Sequence, residues 1–332
     1  MKCLFDSRWS GAHGIGRFSR EIRKRIEALD IPLPGRPMSA TDPFNLSWFL
    51  QKTNLGENFF VSPGYNGPLF GRTPYFITIH DLNHIDRPEN SSILKRIYYG
   101  VVLRRLCKRA QSIFTVSEYS KSRIVDWLNI SPDNVVNVGN GISGDFSVSG
   151  EKLYGDKKYV LCTGNRKGHK NEKSALAAFA SAELGSDVSL VFTGEPSKEL
   201  MDYAAQHGIE KAISFAGRLS EAKLAALYRG ASVVLFPSYY EGFGLPIVEG
   251  FASGVPVVTS NVTSMPEVAG GAAVLVDPYS IDDIRNGLSK AYYDHDLRNR
   301  LIADGLRRAQ EFTWEKVADK VKSEVREKGF SI

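Results

Sequence analysis

The stretch Ser238–Gly250, SYYEGFGLPIVEG, sets two carboxylates, Glu241 and Glu249, eight residues apart. Glycines and a proline separate them, and the apolar run Val233-Val-Leu-Phe-Pro237 precedes them. Glycine lets the backbone approach a ligand closely. Carboxylates accept hydrogen bonds from hydroxyls. Both features suit a polyhydroxylated ligand. Pro246 is placed to begin a helix, which puts Glu249 on that helix, where its carboxylate can accept both hydroxyls of a ribose. Glu241 stays in the loop, beside the amides of residues 242–245.

A second stretch, Gly164-Asn-Arg-Lys-Gly-His-Lys-Asn171, follows the strand-like Tyr159–Thr163 and opens a helix. Free amides, the helix dipole and cationic side chains add together there, a combination that favours a diphosphate. Arg166 can grip phosphate with two nitrogens, whereas Lys170 offers a point charge. Gly14-Ile-Gly16 also opens a helix after a strand, and such a turn serves either packing or an anion. As a dinucleotide fingerprint it fits poorly, because only Asp30 stands near the place of a ribose-binding acid. His80-Asp81 ends the strand 75–79. His80 there either points into a ligand cleft or caps the next segment. Asp294-His-Asp296 has the form of a metal-binding DxD, but it lies between helical stretches, where aspartate caps a helix start. No metal ligand set and no cofactor are expected.

These residues need elements to hold them. Ile15, Phe18, Ile22, Ile26 and Leu29 recur at helical steps. Residues 32–47 read as a loop and residues 92–110 as one helix with basic residues around it. Tyr75–Ile79 and Gln111–Val116 read as strands, with a helix near 121–128. After a linker-like stretch, 147–155, the alternation of short β-branched runs and helices restarts and continues to about residue 259. Alternating strands and helices form βαβ units with a parallel sheet, and ligands bind at the carboxyl ends of such strands. The expected organisation is a first Rossmann-like domain over 1–150, a second over 151–312, and a helix over 313–332.

The totals agree with a globular protein of two domains. The chain has 332 residues, 42% of them hydrophobic and 24% charged. Three dispersed cysteines argue for a reducing compartment. No run approaches the length of a spanning helix, and the start of the chain lacks the apolar core of a signal peptide, so a cytoplasmic location is expected. Residues 1–150 hold 19 Lys and Arg against 13 Asp and Glu, so this half carries the positive charge. That is either a solvated surface or a face for anionic lipid or a diphosphate-bearing acceptor.

Taken together, the chain resembles the retaining GT-B glycosyltransferases that bear an E-x7-E motif, the family 4-like group. Glu241-Gly-Phe-Gly-Leu-Pro-Ile-Val-Glu249 matches that motif. GIGRF at 14–18, TIHDL at 78–82, VSEYSK at 116–121, GNGI at 139–142, FAGRLS at 215–220 and ASGVPVVTSNVTSMPEV at 252–268 follow in the family's order. The resemblance implies two facing doubly wound domains, with the last helix crossing back to the first. It implies that Glu249 holds the donor ribose, and that Glu241 and the amides of Phe243, Gly244 and Leu245 hold the transferred sugar. Arg166 and Lys170 would neutralise the departing diphosphate. Asn165 stands where many members have arginine, so Arg166 takes that role from the next position. His80 would lie beside the sugar, and Gly14 and Gly16 near the donor phosphates. Transfer would retain configuration by front-face substitution, without metal. GNRKGHKN, GIGRF and TIHDL look most like bacterial polysaccharide mannosyltransferases. That implies GDP-mannose as donor and a lipid-linked oligosaccharide acceptor at the inner face of the cytoplasmic membrane, with peripheral attachment and no nucleic-acid partner. UDP-, dTDP- and ADP-sugars remain alternative donors, and a GT-B sugar-nucleotide epimerase remains an alternative activity.

Overall fold

A computed structural model describes residues 2–11, 14–37, 39, 41–53 and 58–332. Ala12 and His13 of the first glycine turn lie outside the described residues. The chain divides into two compact units, Met1–Gly141 with Thr313–Ile332, and Ile142–Phe312.

The first unit holds a six-stranded parallel sheet of β1 (Lys2–Phe5), β2 (Leu29–Asp30), β3 (Asn58–Ser62), β4 (Tyr75–Thr78), β5 (Ser112–Thr115) and β6 (Val135–Asn137). Their order is β2-β1-β3-β4-β5-β6. The helix Gly14–Arg23 follows β1 and buries Phe18 and Ile22, one turn apart, as the periodicity predicts. Leu29 leaves that helical pattern. It pairs with Leu4 as part of β2 and is exposed.

Three local features differ from the sequence reading. Residues 42–47 are not loop but open the helix Asp42–Thr53, which buries Leu46 and Leu50. Exposed Phe44 and Trp48 on the same helix blur its amphipathic pattern. The strand β3 was not foreseen: buried on both faces, it lacks the alternation that marks a strand. The single helix expected over 92–110 is divided into Ile93–Ile97, a π-helical Tyr98–Leu103 and Arg104–Arg109.

The last helix, Trp314–Glu327, belongs to the first unit. Trp314, Val317, Val321 and Val325 are buried, and Ser112 of β5 bonds the Glu324 carboxylate. A side chain at Gly141 would strike the Trp314 ring at 2.5 Å, so only glycine lets the chain pass there.

The second unit repeats the plan with β7 (Lys158–Cys162), β8 (Val188–Phe192), β9 (Ile213–Phe215), β10 (Val233–Phe236), β11 (Val257–Ser260) and β12 (Val274–Val276). Their order is β12-β11-β10-β7-β8-β9, all parallel. One apolar core of sheet and helix residues fills it. The boundary falls earlier than residue 150. The stretch expected to be a linker packs onto this unit: Arg229 donates to the Asp145 and Ser147 carbonyls, and Leu153 donates to the Ala226 carbonyl. Asp294 accepts from the Leu297 amide at 2.9 Å and caps the helix His295–Ala309. Among the described residues no helix is long and apolar enough to cross a membrane.

Candidate active site

In the second sheet the chain enters at β7, in the middle, and then builds outward on both sides. The loops after β7 and β10 therefore diverge above neighbouring strands, and a crevice opens at such a switch point. A cavity of about 220 Å³ lies there, lined by Thr163, Gly164, Asn165, Lys170, Thr193, Leu224, Tyr228, Pro246 and Glu249. Three of the predicted residues, Asn165, Lys170 and Glu249, thus share one wall set. Glu241 joins them through Lys170, whose Nζ donates to its Oε1 at 2.7 Å.

The local chain explains the placement. Lys170 ends the short 3₁₀ turn Gly168–Lys170, and its ammonium sits 5.0 Å from the Phe236 ring centre. Asn171 follows in a left-handed conformation (φ 56°), and its Nδ2 donates to the carbonyls of Pro237 and Pro278. That side chain ties the β7 loop to the β10 loop. On the β10 side, Gly244 takes φ 102° at the start of the helix Leu245–Ala252, which carries Glu249, 5% exposed, into the cavity wall. The Ser264 hydroxyl lies 3.0 Å from the carbonyl oxygens of Glu241 and Phe243, and the Thr263 hydroxyl accepts from the Glu241 amide. Phe243 is buried against Phe312. In the first turn of the Leu245 helix Pro246 has no amide hydrogen, and the Ile247 amide donates to the Gly244 carbonyl at 3.0 Å.

Arg166 is placed differently from Lys170. Its backbone is left-handed (φ 62°), and its guanidinium pairs with the Glu172 carboxylate and donates to the carbonyls of Thr193 at 2.6 Å and Glu195 at 3.0 Å. It lines a neighbouring cavity with Glu172 and Lys173, behind the loop. Burial pushes the Glu172 carboxyl up, and the Arg166 charge only partly opposes this. A Cβ at Gly164 would lie 1.9 Å from Glu172 Oε1, so a larger residue there would have to displace that carboxylate.

The sequence did not single out Thr163 or Thr193. Thr193 is satisfied, its hydroxyl bridging the amide and carbonyl of Gly164. The Thr163 hydroxyl is buried, with no hydrogen-bond partner among the described residues, and Thr163 lines the cavity. Its position directly after β7 was the available signal.

Gly14, Gly16 and His80 belong to the first unit. Gly14 begins its helix, and a Cβ at Gly16 would sit 1.8 Å from the Gly11 carbonyl oxygen. His80 is buried, with Nε2 2.9 Å from the Pro63 carbonyl oxygen. A carbonyl only accepts, so that nitrogen carries the proton. Phe18 of the Gly14 helix meets the imidazole edge-on at 5.0 Å between ring centres.

Comparison with known proteins fits this arrangement. Residues 145–308, which include the whole cavity, match the family described as glycosyl transferases group 1. O-antigen chain mannosyltransferase B of Escherichia coli is 31% identical over 270 residues, covering 76% of this chain and 71% of that protein. The chain belongs to the group 1 glycosyltransferases. The serotype-specific mannosyltransferase WbdA of Escherichia coli is 28% identical over 228 residues, and the match spans 64% of this chain but only 28% of WbdA. Among solved structures, Anabaena HepE in complex with UDP-glucose superposes with a TM-score of 0.80 at 16% identity, covering 98% of this glycosyltransferase and all of HepE. The two six-stranded parallel sheets of this glycosyltransferase are those of the GT-B fold.

Proposed function

We propose that this glycosyltransferase moves mannose from GDP-mannose to a lipid-linked oligosaccharide in bacterial surface polysaccharide assembly, with retention of configuration. The observation that carries the transfer chemistry is the meeting of Lys170 with Glu241 at the mouth of the cavity walled by Glu249. The choice of mannose and of an O-antigen-type acceptor is supported by the names of the two Escherichia coli relatives.

In this reading the Glu249 carboxylate accepts the ribose hydroxyls. Lys170 exchanges part of its pairing with Glu241 for the donor diphosphate, and Arg166 turns from the Thr193 and Glu195 carbonyls to a phosphate oxygen. As the bond from sugar to diphosphate breaks, negative charge grows on the β-phosphate oxygen. Once drawn to the bound diphosphate, these cations stabilise that charge as it develops. Glu241, released from Lys170, accepts hydroxyls of the transferred sugar together with the amides of Phe243, Gly244 and Leu245. The acceptor hydroxyl attacks the face the diphosphate leaves, and the diphosphate takes its proton. No metal is assigned a step.

Thermal stabilisation against GDP-, UDP-, dTDP- and ADP-sugars tests the donor, because a ligand of the folded state raises Tm with occupancy. GDP and GDP-mannose are expected to give the largest shift. A shift confined to another nucleotide would replace the donor. A proton spectrum of the product reads the anomeric configuration, and inversion would remove the retaining mechanism.

A further inference from the structure

The segment Ile93–Arg109 of the first unit has one face in the core and one face bare. Tyr99, Leu103, Leu106 and Cys107 are buried. On the outer side Ile93, Leu94, Ile97 and Val101 stand 57–77% exposed. Single exposed apolar residues are ordinary, but four aliphatic side chains grouped on one helical stretch mark an interaction surface. Cations frame them. Lys95 and Arg96 lie among the apolar residues, and Arg104, Arg105 and Lys108 continue the exposed side toward the end of the segment. Arg109 is engaged separately, donating to the Leu69 and Gly71 carbonyls. From residue 90 to residue 117 the sequence contains no Asp or Glu. The nearest ion pairs on either side are Arg87 with Glu89 and Arg123 with Asp86. The five framing cations form no ion pair among the described residues.

We infer that this face is a docking surface for an anionic lipid bilayer. The inference rests on the proposed membrane-linked acceptor and names the residues that reach the membrane. Ile93, Leu94, Ile97 and Val101 seat in the headgroup region, and Lys95, Arg96, Arg104, Arg105 and Lys108 meet lipid phosphates. An apolar strip rimmed by Lys and Arg is the pattern of a helix lying in an interface. Each basic residue near an anionic surface adds about fivefold to binding. Tyr99 and Leu103 face inward, and Ile97 and Val101, also four residues apart, face outward. A second copy of the chain fits less well, because a self-complementary interface would bring the same cations together.

The test is flotation of the full chain with vesicles of phosphatidylglycerol and phosphatidylcholine, against vesicles of phosphatidylcholine alone. The chain is expected to float with the anionic vesicles and to be released by salt. Ile97→Asp with Val101→Asp, and separately Arg104→Glu with Arg105→Glu, are each expected to lower partitioning by about tenfold or more. Arg307→Glu removes an exposed cation of the second unit, there paired with Asp304, and is expected to leave partitioning unchanged. Each variant's melting temperature and GDP-induced shift show that its fold and donor site persist. The docking surface is overturned if the chain ignores anionic vesicles or if both double variants float like the parent. Loss of a lipid-free dimer in the variants, without lipid binding in the parent, would assign the face to a second copy instead. A chain that responds to GDP but not to vesicles sinks this inference and leaves the transferase reading. Vesicle binding without any nucleotide response does the reverse.

Discussion

Lys170 and Glu241 are separated by 71 residues and meet at 2.7 Å, with side chains only 15% and 13% exposed. An ion pair that sheltered is held in a fixed geometry, and in the proposed reaction a diphosphate competes for the ammonium. If Lys170 opposes the developing diphosphate anion as proposed, its replacement by alanine is expected to lower turnover by about a hundredfold or more, roughly 3 kcal/mol. Single-turnover kinetics at saturating donor check this, and near-parental turnover would remove Lys170 from the chemistry. Under the proposed ribose contact, Glu249→Ala is expected to weaken donor affinity by about 1.5–3 kcal/mol through lost hydrogen bonds, read by calorimetry. Thr163 gives a sharper comparison. Its buried hydroxyl has no partner among the described residues, so Thr163→Val is expected to keep or raise the melting temperature of the free protein. If a donor oxygen satisfies that hydroxyl, the same change weakens nucleotide binding by about 0.5–1.5 kcal/mol. Opposite signs in the two measurements separate a ligand contact from a packing role.

At the scale of elements, the turns govern the site. Gly16 has no room for a Cβ, which would lie 1.8 Å from backbone oxygen at Gly11. Gly16→Ala must displace that turn or the helix it begins, and a loss of about 1–3 kcal/mol is expected, measured by urea unfolding; full stability would show that the turn relaxes freely. How legible such elements are depends on where their information resides. Glu241, Glu249, Lys170 and the strands β7 and β10 were readable because glycine, proline and β-branched runs act locally. The helix from Asp42 was not, since Phe44 and Trp48 on its exposed side mask the burial of Leu46 and Leu50. The partners of Arg166 were not readable either. Glu172 and the carbonyls of Thr193 and Glu195 come to it only through the pairing of β7 with β8. For the same reason Thr163 carries no motif: only the folded second unit shows that its hydroxyl is buried without a partner among the described residues.

At the scale of the molecule, the first unit is made from both ends of the chain, and the second is one continuous segment between them. Trp314, Val317, Val321 and Val325 return as a buried stripe that residues 1–141 cannot supply. Burial of four such side chains is worth on the order of 10 kcal/mol, comparable to the whole net stability of a domain. Residues 1–141 alone are therefore expected to be unfolded or partly folded, and to become cooperative when residues 313–332 are joined to Gly141. The segment 142–312 keeps its own apolar core and every residue lining the cavity between Thr163 and Glu249. It is expected to unfold cooperatively by circular dichroism and to be stabilised by the donor nucleotide, while losing transfer. A fragment that folds but no longer responds to nucleotide would move the main binding energy to the first unit.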